Sequence, residues 1–224
     1  TIQGQALRQP TELPQVIGGT DADSREAAAG LFKRLTGHIV PVGSLEAAEL
    51  VKLANNCHTD LIYSYGNEIA LLAERWGVDP LEVIRAANLD YPRPDLAKPG
   101  FVGGACLTKD PYILLSAASA KGHEPWLVGR ARAPNEHLPL RVAERLIELI
   151  RAARGSAEGA RLTVPGWAYK GWPPTEDMRG APVVPMLPLF RAAGLALKGH
   201  DYLVAPDVIR GLGAEPVTPE AGFA

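Results

Sequence analysis

The chain has few cysteines and no long apolar run. Its 224 residues include only two cysteines, Cys57 and Cys106, which permit at most one disulfide and match no metal-ligand spacing. We therefore predict no metal site and a reduced, cytoplasmic setting. Apolar runs such as Ile113–Leu115 are far too short to cross a bilayer, and no basic segment with an apolar core opens the sequence. We accordingly expect no membrane partner and no secretory signal.

The sequence also lacks an excess of charge of either sign. Its 23 lysines and arginines and 25 acidic residues give a formal net charge of −2. Neither nucleic acid nor an anionic membrane surface is therefore expected as a partner. With 46% hydrophobic residues, the composition is that of a globular protein able to bury a core.

One local pattern indicates chemistry at a cysteine. Cys106 follows a pair of glycines, Gly103 and Gly104, and precedes Lys109 and Asp110. A glycine pair allows a sharp turn and a close approach to the main chain. A thiol near an ammonium group favours the ionised form, which is the nucleophile. The pattern predicts a catalytic cysteine, and the alternative is that Cys106 is a small buried hydrophobic residue.

A second pattern lies on a predicted long helix. Apolar residues recur at three- and four-residue steps over Leu45–Trp76, with Ser44 as a candidate N-cap and Gly77 as a candidate helix stop. Lys52 and Asn56 are four residues apart and therefore share one face of this helix. A cation beside an amide suits an oxyanion or a sugar hydroxyl. The alternative is a solvated lysine beside a surface asparagine.

Three separated motifs together resemble those of the nucleotide-sugar 6-dehydrogenases, which include UDP-glucose, GDP-mannose and UDP-N-acetylmannosamine dehydrogenases. Their order and spacing also agree, over roughly residues 1–210. The motifs are Ala48–Asn56 with Asn67–Ala70, Gly103–Tyr112, and Gly166–Lys170 with Thr175–Arg179. The segments Val16–Gly19 and Tyr91–Arg93 most resemble the N-acetylmannosamine branch.

The resemblance implies oxidation of the C6 alcohol of a nucleotide sugar, expected to be UDP-linked, to a uronic acid. Such enzymes use two NAD per turnover and pass through an aldehyde. By position, Cys106 is implied as the nucleophile that forms a thiohemiacetal and then a thioester. Lys52 and Asn56 match the pair that holds the developing oxyanion, and Asp110 matches the residue that helps to activate water. A thiolate, a fixed cation and a carboxylate suit these three tasks.

The resemblance also implies a set of residues that bind the substrate. The arginine among them that relatives lend to the partner subunit's site corresponds to Arg93. A guanidinium fork suits phosphate, although without the resemblance Arg179 would be an ordinary surface arginine. The implied substrate-binding residues are Gly103, Gly104, Lys109, Arg93, Tyr169, Lys170 and Arg179.

The expected fold class is α/β plus all-α, in three parts. Residues 1–43 are expected to be the tail of a Rossmann-like NAD-binding domain, with a strand, a helix and a strand. Residues 44–154 are expected to form a central helical domain for dimerisation and catalysis, with helices including 111–121 and 138–154. Residues 160–224 are expected to form part of a C-terminal Rossmann-like domain that binds the UDP-sugar.

Several features depart from the family pattern. No Gly-x-Gly-x-x-Gly sequence opens the chain, so we expect the NAD-binding domain to be largely absent and the chain to be truncated. Whether it is active alone stays open. Pro188 falls inside an expected helix over 181–193, where an interior proline costs on the order of 3 kcal/mol.

The long helix predicts a homodimer, because its apolar stripe needs a covering partner. The alternative is that other helices of the same chain cover it. For function, the alternative is a non-oxidising dimerising module that only binds a sugar nucleotide. A cysteine hydrolase is disfavoured because the histidines, His38, His58, His123, His137 and His200, are scattered.

Overall fold

The computed structural model describes residues 8–90 and 95–222. It divides into two compact units, Thr1–His58 and Thr59–Ala224, and the boundary falls inside the long helix Leu45–Trp76. In the parts of the chain that the structure describes, no helix combines the length and apolar character required to cross a bilayer.

The first unit contains a strand–helix–strand arrangement followed by the start of the long helix. The two strands are parallel, with Gln15 opposite Ile39. The side chain of Asp21 caps the intervening helix by accepting a hydrogen bond from Ser24 N at 2.7 Å. The elements are α1 (Gln9–Glu12), β1 (Gln15–Ile17), α2 (Ala22–Phe32), β2 (Ile39–Pro41) and α3 (Leu45–Trp76).

The second unit contains the rest of α3, three further long or medium helices and a small α/β layer. Its three strands are parallel in the order β3-β4-β5, as alternating strands and helices require. The elements are α4 (Pro80–Asn88), α5 (Asp110–Ser119), α6 (Trp126–Arg154), β3 (Arg161–Pro165), α7 (Val183–Ala192), β4 (Ala196–His200), α8 (Pro206–Gly211), β5 (Glu215–Pro216) and α9 (Pro219–Gly222).

Helix α3 has the predicted bounds for the predicted reasons. The Ser44 hydroxyl accepts a hydrogen bond from Ala47 N at 3.2 Å, and Gly77 follows the last turn with a φ of 68°. A left-handed residue at this position stops a helix and is most easily a glycine. The long helix, its N-cap and its stop are confirmed.

Helix α6 is longer than predicted. It begins at Trp126 rather than at residue 138 and runs through Pro134 and Pro139. An interior proline removes one backbone donor and its ring crowds the carbonyl of residue i−4, so a helix continues past it only where packing offsets that cost. Pro188 likewise lies inside α7. The predicted start of α6 at residue 138 was therefore wrong.

The main hydrophobic core lies under the α/β layer of the second unit. Trp167, Phe190 and Ile209 are almost completely buried there, and the C-terminal half of α6 contributes Ala143 and Ile147. Packing on this core fixes the carboxyl ends of β3 and β4, where parallel α/β layers usually bind ligands.

Candidate active site

The Cys106 thiol is exposed at the surface of a tight turn. The turn belongs to the cysteine loop, which we define as residues 100–110. Gly104 has a φ of 91°, and its carbonyl accepts a hydrogen bond from the Thr108 hydroxyl at 2.7 Å. The Cys106 carbonyl accepts hydrogen bonds from Lys109 N at 3.0 Å and from Asp110 N at 2.8 Å, where α5 begins. Because the thiol is exposed, the alternative of a buried hydrophobic cysteine does not hold.

Lys109 and Asp110 form an ion pair beside Cys106. The Asp110 side chain is 0% exposed, whereas the Lys109 side chain is 54% exposed. The hydrogen bond from Lys109 to Asp110 raises the pKa of Lys109, and the neighbouring charges of Asp110 and Cys106 raise it further. Lys109 therefore stays positively charged next to the thiol.

The two glycines of the cysteine loop lie directly against the loop that follows β3. A Cβ atom on Gly103 would lie 2.2 Å from the Gly180 carbonyl oxygen. A Cβ atom on Gly104 would lie 2.6 Å from the ring of Tyr169. Only glycine permits these approaches, so the glycine pair is explained by contact between the two loops.

Arg179 is oriented by a carboxylate and lies within electrostatic reach of Cys106. Its Nε and Nη2 atoms donate hydrogen bonds to the carboxylate of Asp177 at 2.8 to 3.1 Å. These bonds raise the pKa of Arg179. The charge of Asp177 raises it further, and the charges of Cys106 and Tyr169 add smaller increases. Arg179 is therefore a constrained side chain and not an ordinary surface arginine.

A cavity of about 1020 Å³ opens at the carboxyl ends of β3 and β4. Tyr169 and Lys170 are in its lining, and the Lys170 ammonium lies 5.3 Å from the centre of the Tyr169 ring. Trp167 and Tyr202 add aromatic walls. The volume and the mixture of apolar walls with a cation suit a nucleotide.

Asp201 fixes the mouth of this cavity. Its carboxylate accepts hydrogen bonds from four backbone N–H groups, those of Trp167, Ala168, Leu203 and Val204, at 2.6 to 3.2 Å. Burial tends to raise the pKa of Asp201, but the four donors outweigh burial and hold the pKa below its ordinary range.

The predicted oxyanion pair lies in the first unit. Lys52 is exposed and Asn56 is half-buried, and both lie on α3 at the expected spacing of one helical turn. The structure thus brings Gly103, Gly104, Cys106, Lys109, Asp110, Tyr169, Lys170 and Arg179 together within the second unit. Arg93 lies outside the described residues.

Sequence reasoning missed a buried polar network beneath the cysteine loop. Asp60, Asn67, Arg132 and Asn135 have side chains that are between 0% and 2% exposed, and they hydrogen-bond to one another across α3 and α6. The available signal was their spacing: Asp60 and Asn67 are seven residues apart on one helix, and Arg132 and Asn135 are three apart on the other.

The network reaches the surface through one glutamate. Glu136 accepts a hydrogen bond from Arg132 Nε at 3.3 Å and another from the Tyr112 hydroxyl at 2.6 Å. The hydrogen bond to Glu136, together with burial, raises the pKa of Tyr112 to about 12.

Gly18 and Gly19, in the turn between β1 and α2, are closely packed against the chain itself. A Cβ atom on Gly18 would lie 2.3 Å from the Ser44 carbonyl oxygen, and one on Gly19 would lie 2.6 Å from Arg25 N. Packing against the chain's own helices therefore explains both glycines, and we assign neither to NAD.

Comparison with known proteins identifies the family. Residues 46–137 match the model described as the UDP-glucose/GDP-mannose dehydrogenase family, central domain. The chain is 33% identical over 204 residues to the UDP-N-acetyl-D-mannosamine dehydrogenase of Pyrococcus horikoshii, covering 91% of this chain and 47% of that protein. It is 30% identical over 218 residues to a UDP-glucose 6-dehydrogenase of Bacillus subtilis, covering 95% of this chain and 45% of that protein.

A solved structure agrees with these sequence matches. The UDP-D-ManNAc dehydrogenase from Pyrococcus horikoshii superimposes with a TM-score of 0.78 at 30% identity, covering 98% of this chain and 54% of that chain. The chain spans about half the length of the curated relatives it matches. Residues 46–137 belong to the central domain of the UDP-glucose/GDP-mannose dehydrogenase family, and the predicted fold class of helices, small parallel sheets and one long helix is confirmed.

Proposed function

We propose that this chain takes part in the NAD-dependent oxidation of the C6 alcohol of a UDP-linked sugar to the uronic acid. The observation that carries the proposal is the exposed Cys106 thiol, with the carboxylate-paired Lys109 and Arg179 within electrostatic reach of it, in a chain that matches this family. The names of the relatives support a UDP-sugar as the substrate class. We assign no particular sugar.

Cys106 would act at the aldehyde stage. Its thiolate adds to the C6 aldehyde, a C–S bond forms, and the carbonyl electron pair moves to oxygen to give a thiohemiacetal. Loss of a hydride from C6 then leaves a thioester, and attack of water releases the carboxylate and returns the thiol. NAD would supply the hydride acceptor for both oxidations.

Three other residues would support these steps. Lys52 and Asn56 would stabilise the negative charge on the C6 oxygen by a charge-assisted hydrogen bond and an amide donor. Asp110, a buried carboxylate beside the thiol, would take the proton from the attacking water. The ion pair with Lys109 keeps that carboxylate at a fixed position next to Cys106.

The nucleotide would occupy the cavity at the ends of β3 and β4. Tyr169 and Lys170 line it and would contact the base or the diphosphate, while Arg179, held by Asp177, would bind a phosphate oxygen. Gly103 and Gly104 would place the thiol turn against this loop. Arg93 stays a proposed contact to a partner subunit's sugar.

We also propose a homodimer and a reduced, cytoplasmic setting. Exposed apolar side chains on α3, among them Tyr65, Leu72 and Trp76, support the dimer. The sequence contains only two cysteines, Cys57 and Cys106, and this low cysteine content supports a reducing compartment. We further propose that residues 1–43 are the tail of an NAD-binding domain and that residues 44–154 form a central domain for dimerisation and catalysis. Residues 160–224 would form part of a domain that binds the UDP-sugar.

Replacing Cys106 by serine tests the proposed function. In the full-length protein supplied with a UDP-sugar and NAD, we expect Cys106→Ser to stop formation of uronic acid, because an oxygen ester in place of the thioester requires a much weaker nucleophile. The measurement is the acid product, resolved by mass spectrometry, together with NADH absorbance. Cys57→Ser is the matched control and should keep its activity. Normal acid formation by Cys106→Ser would overturn the nucleophile assignment.

A further inference from the structure

A closed chain of hydrogen bonds begins and ends on the cysteine loop. At one end, Asn67 holds both backbone groups of Gly100: Asn67 Oδ1 accepts from Gly100 N at 2.8 Å, and Asn67 Nδ2 donates to the Gly100 carbonyl at 3.0 Å. At the other end, Arg132 Nη1 donates to the carbonyl of Leu107 at 3.2 Å. These two anchors lie on either side of Cys106.

Three side-chain contacts join the two anchors. Asn67 Nδ2 donates to Asn135 Oδ1 at 2.9 Å, and Asn135 Nδ2 donates to Asp60 Oδ1 at 2.8 Å. Asp60 Oδ1 also accepts a hydrogen bond from Arg132 Nη1, which forms a buried ion pair. The loop is therefore attached at Gly100 and at Leu107 to a single connected set of side chains from α3 and α6.

Stability of the helix packing alone does not explain why this polar set is buried. Burying an ion pair removes hydration from both charges, and apolar side chains of similar volume often stabilise as much or more. Among the described residues, Asp60 Oδ2 is buried without a hydrogen-bond partner, which adds to that cost. A second ion pair between the same two helices, Arg141 with Glu74, lies at the surface and avoids the cost.

The backbone also approaches closely where the loop is attached. A Cβ atom on Gly66, next to Asn67 on α3, would lie 2.2 Å from the Ala97 carbonyl oxygen. The segment that enters the cysteine loop is thus seated against the α3 backbone. Lys109, Asp110 and Arg179, the charged groups that face Cys106, then depend on the loop for their distance to the thiol.

We propose that Asp60, Asn67, Arg132 and Asn135 are positioning residues that hold the Cys106 turn at its reactive distance from the substrate carbon. The proposal rests on the proposed function of Cys106. None of the four touches the reacting atoms; they act through the backbone of Gly100 and Leu107. Misplacement of a nucleophile by about 1 Å can lower the rate on the order of 100-fold. A fixed backbone at Gly100 and Leu107 therefore explains why the protein retains a buried ion pair that stabilises the fold little.

Arg132→Lys tests the proposal in the full-length protein. Lysine keeps the charge next to Asp60 but lacks the fork that reaches Asp60, Leu107 and Glu136 together. We expect kcat to fall about 10- to 100-fold while KM changes by less than about threefold. We also expect alkylation of Cys106 by iodoacetamide, followed on its own peptide by mass spectrometry, to slow by about threefold or more, because the thiol leaves the cations that face it.

Arg141→Lys is the matched control, because Arg141 joins the same two helices through Glu74 at 3.5 Å. It should leave kcat and the alkylation rate at wild-type values even where the melting temperature falls.

If Arg132→Lys does not fold, Glu136→Gln carries the test. Glu136 is about half exposed and braces Arg132 from outside, so its loss should lower kcat and alkylation in the same direction by about threefold.

Failure of this proposal is distinguishable from failure of the proposed function. If Cys106→Ser is inactive but folded Arg132→Lys or Glu136→Gln matches the Arg141→Lys control in both kcat and alkylation, the positioning role is overturned. If Cys106→Ser keeps forming acid, the proposed function fails, and slower alkylation in Arg132→Lys still supports control of the thiol by the network.

Discussion

The two cations near the Cys106 thiol are each held by a carboxylate close to them in sequence. Lys109 pairs with Asp110, which follows it, and Arg179 pairs with Asp177 in the same turn. Charge-assisted hydrogen bonds of this kind limit the positions that a long side chain can adopt. The positive charge near the thiol is thereby carried by a lysine and an arginine whose side-chain mobility is restricted.

Lys52 is proposed to stabilise the transition state rather than to bind the substrate. We expect Lys52→Ala to lower kcat by about 100-fold with a small change in KM, because a cation at a developing alkoxide acts mainly in the transition state. Steady-state kinetics with a UDP-sugar and NAD measures both constants. Lys33→Ala, an exposed lysine of the same unit, should match the wild type. A rise in KM with unchanged kcat would instead assign Lys52 to substrate binding.

Sequence reasoning reached some residues of the site and not others, for a physical reason. Cys106, Lys109 and Asp110 are neighbours in the chain, so the turn that joins them predicts their contact. Asp60 and Arg132 are 72 residues apart, and charged residues on a helix usually predict a solvated face. Their pairing depends on how two long helices pack, which no local pattern reports.

At the scale of elements, α3 and α6 show what periodicity and caps can and cannot predict. The bounds of α3 followed from Ser44, Gly77 and a regular apolar pattern, all of which act locally. The start of α6 could not be predicted from local signals, because tertiary packing keeps Pro134 and Pro139 helical against their local preference. The short strand β5 was not predicted, since two residues carry no alternation.

Strand β4 gives a prediction about packing. A Cβ atom on Gly199 would lie 2.6 Å from the indole of Trp167, which is buried and cannot move aside. We expect Gly199→Ala to lower the free energy of unfolding by about 1–3 kcal/mol through overpacking. Urea denaturation followed by Trp fluorescence measures it. Gly211→Ala in α8, where a Cβ atom meets nothing within 4 Å, should be neutral or slightly stabilising. Equal stability of Gly199→Ala and the wild type would contradict the packing described here.

At the scale of the whole molecule, α3 leads to a prediction about assembly. We expect sedimentation velocity to give twice the chain mass, because exposed apolar side chains on α3 need cover. Leu72→Glu should shift the protein toward monomer. Leu89→Glu replaces a leucine that is also exposed but lies just after α4, and it should leave the dimer intact. A monomeric wild-type protein would mean that the exposed face of α3 has another role.

Stability toward acid should depend on Asp201. Its pKa in the folded protein is lowered below the ordinary value of 3.8, so the stability it contributes is present above that value and is lost as pH falls through the folded pKa. Asp177, whose pKa is lowered mainly by its hydrogen bond with Arg179, acts in the same direction. Burial raises the pKa of Asp60, so Asp60 has the opposite effect: its contribution is lost as pH rises.

The pH dependence of unfolding checks this expectation. Urea midpoints measured from neutral pH to below the ordinary value of 3.8 should fall steeply for the wild type at the acid end. The acid limb should be shallower in Asp201→Asn, which has no carboxylate to protonate. Asp207→Asn, at an exposed position in α8, should keep the wild-type slope. Parallel acid limbs for Asp201→Asn and the wild type would rule out Asp201 as a main source of acid sensitivity.

The contact between Gly104 and the Tyr169 ring has a thermodynamic consequence. Because Tyr169 lines the cavity and its ring lies against Gly104, a molecule that bound there and moved the ring would also press on the turn that carries Cys106, and the two events would then be energetically coupled. Such coupling is reciprocal: whatever factor a bound nucleotide applies to adduct formation at the thiol, the adduct applies to nucleotide affinity. A covalent intermediate on Cys106 would therefore change how tightly its own nucleotide is retained, and hydrolysis of that intermediate would reset the affinity before the product leaves.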